Sequence, residues 1–122
     1  MSELNQKEKN VEAEFMKNKV KVLIEESVDA QAQRLAEINI ELTSLKAYFS
    51  EYLDNILVFK ADLLEKWREE KGSVAAAKSK WNATDEGRNE ILLRGIIGRI
   101  KDQVSVIKQR INVARDQAFG QY

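Results

Sequence analysis

Residues Leu93–Ala118 read LRGIIGRIKDQVSVIKQRINVARDQA, and the spacing of their apolar side chains decides the fold. Leu93, Ile97, Ile100, Val104, Ile107, Ile111, Ala114 and Ala118 follow one another at intervals of 4, 3, 4, 3, 4, 3 and 4 residues. That alternation is the a/d seam of a heptad helix, with Ile97, Val104, Ile111 and Ala118 at a and the others at d. Left bare, the seam would put a long apolar stripe in water. Burying a large apolar side chain is worth about 1.5–3 kcal/mol, so its six large members contribute on the order of 10 kcal/mol gross. Leu93, Ile97, Ile100, Val104, Ile107 and Ile111 are therefore expected to lie beneath other helices.

The upstream segment carries a second seam. Ile24, Val28, Leu35, Ile38, Leu42, Leu45, Phe49, Tyr52, Ile56, Phe59 and Leu63 keep the same period, with Gln31 as the polar interruption. From Ser2 to Lys71 there is no Gly or Pro, and Glu, Lys, Ala, Leu and Gln prevail, all good helix formers. The pattern predicts one long helix over about 3–71, roughly 100 Å at about 1.5 Å per residue. Its weak point is Glu26–Gln33, where the apolar pattern thins and a break can fall. Gly72-Ser73 reads as a C-cap glycine followed by a new N-cap, which predicts a short helix over about 73–81. Thr84 reads as the N-cap of a return helix over about 85–119, with Asp85 and Glu86 where the helix dipole favours anions. Asn5 and Glu8 have capping-box spacing, and Gly120 falls at C′.

Apolar residues also flank both seams: Leu53, Leu57, Val58 and Leu64 in the first, Leu92, Ile96, Val106 and Val113 in the last. A two-stranded coil would leave them wet, so at least three helices are expected to meet. The β-branched residues at a and d of the last helix favour assemblies above the dimer. Gly95 and Gly98 are expected to admit a closely approaching helix. The expected architecture is all-α: a single helical domain over 1–122, a long helical hairpin or coiled-coil-like bundle completed by oligomerisation.

Composition removes many chemistries. The 122 residues include 20 Lys+Arg and 20 Asp+Glu, but no His, Cys or Pro. A Ser-His-Asp triad, a Cys nucleophile, a zinc finger, an Fe–S cluster and a disulfide scaffold are all excluded. No haem or metal box fits the seam, so no cofactor is expected. Carboxylates remain for acid–base or metal work. Glu25-Glu26-Ser27-Val28-Asp29 and Glu51-Tyr52-Leu53-Asp54 hold acids at i, i+3. This spacing resembles that of all-α nucleotide pyrophosphohydrolases of the MazG type, which hold Mg²⁺ with Glu-x-x-Glu and Glu-x-x-Asp pairs. The chain departs from that pattern: its first pair ends in Asp, and no turn between the pairs folds one helix back on another. Glu51 and Asp54 also fall at c and f, facing water. The reading is non-enzymatic. The polar start from Met1 to Lys7 lacks a signal-peptide core, and the longest apolar run, Ile56–Phe59, is far short of the ~20 residues of a membrane span. A cytoplasmic protein is expected, or a viral (phage) protein made in a host cytoplasm.

Charge is uneven although its total is zero. From residue 88 onward seven basic residues face Glu90, Asp102 and Asp116, a balance of +4, against −4 in the first 72 residues. An acidic long helix beside a basic return helix is expected to favour their packing. Arg94, Lys101, Lys108 and Arg115 occupy successive e positions, a basic stripe roughly 30 Å long beside the seam. The long helix offers no matching acidic column, so the stripe is either a solvated face, a pairing surface for another protomer, or a contact for a phosphate backbone or acidic protein surface. Trp67, Arg68, Lys71, Lys78, Lys80 and Trp81 form a second basic and aromatic group. Exposed Trp beside Lys is what stacking on a base needs, whereas a Trp at a bundle end caps the core. The expected function is structural, scaffolding or adaptor work through helix–helix contacts, with a homo-oligomer and a protein partner on helical surfaces. The alternative is a small oligomeric nucleic-acid-binding factor using Arg94, Lys101, Lys108 and Arg115, assisted by Lys78, Lys80 and Trp81.

Overall fold

The computed structural model of the chain describes the backbone from Glu3 to Gly120 and the side chains of residues 10–70 and 72–117. Over that span the protein is an all-α helical bundle with four helices: α1 (Glu3–Ser27), α2 (Ala32–Lys71), α3 (Val74–Asn82) and α4 (Asp85–Gly120). None is long and apolar enough to cross a membrane. The helices contribute to two compact units. One comprises the chain up to Lys46 together with the chain from Arg99 onward, and the other is Ala47–Gly98.

The first unit is built by three helices, each turning one face inward. Val20 and Leu23 of α1, Leu35, Ile38, Leu42 and Leu45 of α2, and Ile100 and Ile107 of α4 are all buried. These residues recur at steps of three, four or seven within each helix, which keeps them on one stripe. Three helices do meet here, but on the inner stripes and not on the apolar flanks that suggested it: Val58, Leu92, Val106 and Val113 stay exposed.

The single helix expected over 3–71 is interrupted, and the interruption falls inside the stretch where the pattern thins. α1 stops at Ser27 and α2 begins at Ala32. Without Gly or Pro between them, the break needs another cause. It comes from α4. The Arg110 guanidinium donates to the carbonyls of Ser27, Val28 (3.3 Å) and Ala30 (3.4 Å). Carbonyls at a helix end lack intrahelical donors, and a cation there also suits the dipole. Ser27, fully buried, donates from Oγ to Ile24 O (2.6 Å) and accepts from Gln103 Nε2 (3.0 Å). The carbonyl of Gln31 accepts from Leu35 N (2.8 Å) and opens α2. Val28, placed in the seam by its spacing, is instead 67% exposed in this connection.

The second unit packs α3 into the space between α2 and the start of α4. Gly72 takes φ +70°, the left-handed turn that ends α2. Ser73 then caps α3 with an extended backbone, its Oγ accepting from Ala76 N at 3.2 Å. α3 runs one residue later than the predicted 73–81. Thr84 joins α3 to α4: its Oγ1 donates to Trp81 O (2.6 Å) and accepts from Gly87 N (3.0 Å). The sequence-read caps at Gly72-Ser73 and Thr84 are thus present. The Asn5–Glu8 capping box does not open α1, which begins at Glu3 with Asn5 already inside it, and α4 runs through Gly120 where a C′ glycine was expected one residue beyond its end.

Gly87 is buried where α4 crosses the end of α3. A Cβ at this position would stand 2.0 Å from the carbonyl oxygen of Trp81. Backbone cannot yield that much without opening the α3–α4 corner. Gly87→Ala is expected to destabilise the protein by about 2–3 kcal/mol, visible as a lowered midpoint in denaturant unfolding. An unchanged midpoint would mean that the corner is looser than this geometry. Gly95 and Gly98 behave differently, since a Cβ on either meets nothing within 4 Å. No other helix of the described chain uses the close approach they were expected to provide.

Candidate functional site

The residues singled out by sequence fall into three settings. The seam of α4 is covered unequally. Leu93, Ile100 and Ile107, all at d, are buried, whereas Ile97, Val104 and Ile111 at a are half-buried. Ala118 lies outside the described side chains. In the upstream seam Leu35, Ile38, Leu42, Leu45 and Phe49 are buried, Tyr52, Ile56 and Leu63 are partly so, and Phe59 is 48% exposed. Intrachain packing buries the large d residues, while Ala114 at d and the large a residues are only half covered.

The basic residues do not act as one group. Arg94 donates from Nε to Glu90 Oε2 at 3.0 Å and so belongs to an ion-pair centre of the second unit. Lys101, Lys108 and Arg115, in the first unit, are exposed and make no ion pair among the described residues. Lys78 is exposed and, with Leu64, Glu65, Arg68, Val74 and Ala77, lines a shallow cavity of about 330 Å³. Lys80 holds its ammonium 4.4 Å from the ring centre of Trp67, a cation–π contact. Lys71 lies outside the described side chains.

Trp81 requires a correction. Stacking on a base needs an open indole face, yet Trp81 is 1% exposed and Trp67 8%. Both are core caps, packed with Ala77 against Ile56, Leu63 and Leu64. Phe59 lies 6.3 Å from Trp81, centre to centre. Trp81 therefore cannot take the polyanion-contact role that its basic neighbours suggested.

Trp81 instead leads to the most elaborate polar arrangement in the second unit. Its indole Nε1 donates to Glu90 Oε1 at 2.9 Å, and Lys60 Nζ donates to the same oxygen at 2.8 Å. Arg94 takes the other oxygen. Glu90 is 8% exposed. Burial alone pushes its carboxyl upward, but the donors Lys60, Trp81 and Arg94, with the Lys60 charge, outweigh it and bring the pKa down to about 2. One carboxylate thus ties α2, α3 and α4 together. Chemically it is a structural clamp: every strong donor near it is occupied in holding it ionised.

A second polar cluster flanks the α1–α2 connection. Arg34 donates to Glu26 through Nε, and through its terminal nitrogens to Glu26 Oε1 (2.9 Å) and Glu37 Oε2 (3.0 Å), with Glu41 3.7 Å away. The bond to Arg34 draws the Glu26 carboxyl below its usual range, and the bonds to Glu26 and Glu37 raise the guanidinium further. Of the acids considered for Mg²⁺, Glu26 is therefore engaged with Arg34, and Glu51 and Asp54 are exposed. Among the described residues no group of three or more acids is placed to hold a metal.

Sequence reading missed Glu90, Lys60, Ser27, Gln103 and Arg110. The i, i+4 spacing of Glu90 and Arg94 was a usable signal, as was the need of a buried Trp for an acceptor. Nothing local marks Lys60, thirty residues from Glu90, or Arg110, eighty-three from Ser27. No protein-family model, curated protein or solved structure matches the chain.

Proposed function

We propose that this protein is a non-enzymatic structural or adaptor element that works through helix–helix contact, self-association completing the heptad packing that one chain leaves half covered. One observation carries the reading: the long helices are apolar on an outer face as well as an inner one. Val11, Phe15 and Val22 of α1, Ile40 and Val58 of α2, and Ile91, Leu92, Val106 and Val113 of α4 are between 46% and 71% exposed. Single exposed apolar residues are ordinary, but their recurrence opposite the buried stripes is the pattern of surfaces made for other helices. Sedimentation at rising concentration should show a mass well above the 14.0 kDa chain. A particle that stays monomeric throughout would overturn the self-association.

A second reading, contact with nucleic acid, is favoured by three exposed cations, Lys101, Lys108 and Arg115, that make no ion pair among the described residues. On that reading, labelled DNA or RNA is retained with a steep fall in rising salt, and Lys101→Glu with Lys108→Glu abolishes retention. Retention unchanged in that variant would remove the stripe from consideration.

A further inference from the structure

We propose that the outer face of α1 is where two copies of this chain meet, side by side and parallel. The inference rests on the self-association reading and names the surface responsible. α1 has two apolar faces. Val20, Leu23 and Ser27 are buried within the unit. Val11, Phe15 and Val22 are 71%, 65% and 54% exposed, and their spacings of 4 and 7 residues set them on one narrow strip of the opposite side. Asn18 completes the strip, which then reads Val11, Phe15, Asn18, Val22 at 4, 3, 4.

The flanking charges identify the occupant. With Val11 and Asn18 at d and Phe15 and Val22 at a, the g positions are Glu14 and Lys21, and the e positions are Glu12, Lys19 and Glu26. In a parallel pair each g residue faces the e residue five positions further on in the other helix. Glu14 then meets Lys19 of the second copy, and Lys21 meets Glu26 of the second copy. Two-fold symmetry repeats each attraction, and no like charges face each other across these positions. Glu12, Glu14, Lys19 and Lys21 make no ion pair among the described residues. Glu26 already accepts from Arg34 but keeps further lone pairs.

Asn18 sets the direction. Side by side and parallel, Asn18 faces Asn18, so the two amides can hydrogen-bond each other across the pair. Run antiparallel, the strip lays Phe15 over Asn18 and buries an amide with no partner.

The test is sedimentation equilibrium of the full chain. Phe15→Asp alters an exposed residue, so helicity by circular dichroism should be unchanged while self-association weakens more than about 100-fold. Lys19→Glu should weaken it by about threefold to tenfold, and adding Glu14→Lys should restore it. In the antiparallel arrangement Lys19 pairs with Glu12, so failure of Glu14→Lys to restore assembly overturns the parallel pairing. Assembly that survives Phe15→Asp undiminished overturns the surface and leaves self-association standing. A wild-type chain that is monomeric at every concentration overturns both.

Discussion

Glu90→Ala is expected to lower the stability of the protein by about 3–5 kcal/mol at neutral pH. The size follows from what the substitution strands. Trp81 is 1% exposed, and its indole N–H would be buried without an acceptor. Lys60, its side chain 25% exposed, would keep a charge that has lost its partner. Arg94, at 55%, can turn to water and contributes little to the loss. Glu90→Gln separates the terms, because its amide oxygen still accepts from Trp81 while the charge is gone. Its loss should be about half as large. The pH dependence has a definite sign. The carboxyl has a lower pKa folded, about 2, than its ordinary 4.5. Its stabilisation is therefore complete above pH 4.5 and disappears as pH falls towards 2, a swing of roughly 3 kcal/mol. Urea unfolding of wild type and Glu90→Gln at a series of pH values measures this directly. The gap between them should close through that acid window. A gap that stays constant from neutral pH down to pH 2 would show that Glu90 is not held ionised by its three donors.

The contrast between Glu90 and the heptad residues shows what this sequence makes legible. Leu93, Ile100 and Ile107 announce themselves, because helical periodicity is local information and solvent enforces it everywhere along the chain. The caps at Gly72, Ser73 and Thr84 are equally local: a left-handed glycine and two hydroxyl acceptors act within three residues of themselves. The break between α1 and α2 was visible as a thinning of the pattern, but its cause was not. Arg110 acts there from another helix, and its own surroundings in sequence, Lys108-Gln109-Arg110-Ile111, read as one more solvated turn. Trp81 departs from its local context for a related reason. Its flanking lysines described a surface, while its burial depends on Ile56, Leu63 and Leu64 of a helix that the sequence does not place beside it. The basic stripe, for its part, is a matter of spacing alone, and spacing says nothing about Glu90 taking Arg94 out of it. Periodicity thus reports which side of a helix is apolar and leaves open which neighbour covers it.

That limit gives the seam its sharpest test, because Ile100 and Val104 look equivalent in sequence and are not equivalent in the fold. Ile100→Asp is expected to cost at least about 4 kcal/mol. Truncating a fully buried isoleucine already costs about 2–5 kcal/mol, and the new carboxylate must be protonated or desolvated in addition. Ile100 is 0% exposed. A domain with about 5–15 kcal/mol of total stability would be left close to unfolding by this one change. Val104→Asp, four residues away at a half-buried a position, lets the carboxylate reach water and should cost about 1–2 kcal/mol. Amide hydrogen exchange reads both: Ile100→Asp should bring α1 and the last turns of α4 to fast exchange together, since their apolar faces share one core. Val104→Asp should leave α1 protected. Equal damage from the two substitutions would mean that the a row is as deeply covered as the d row. Coverage of that depth has no source among the described residues, and another molecule lying along α4 would supply it.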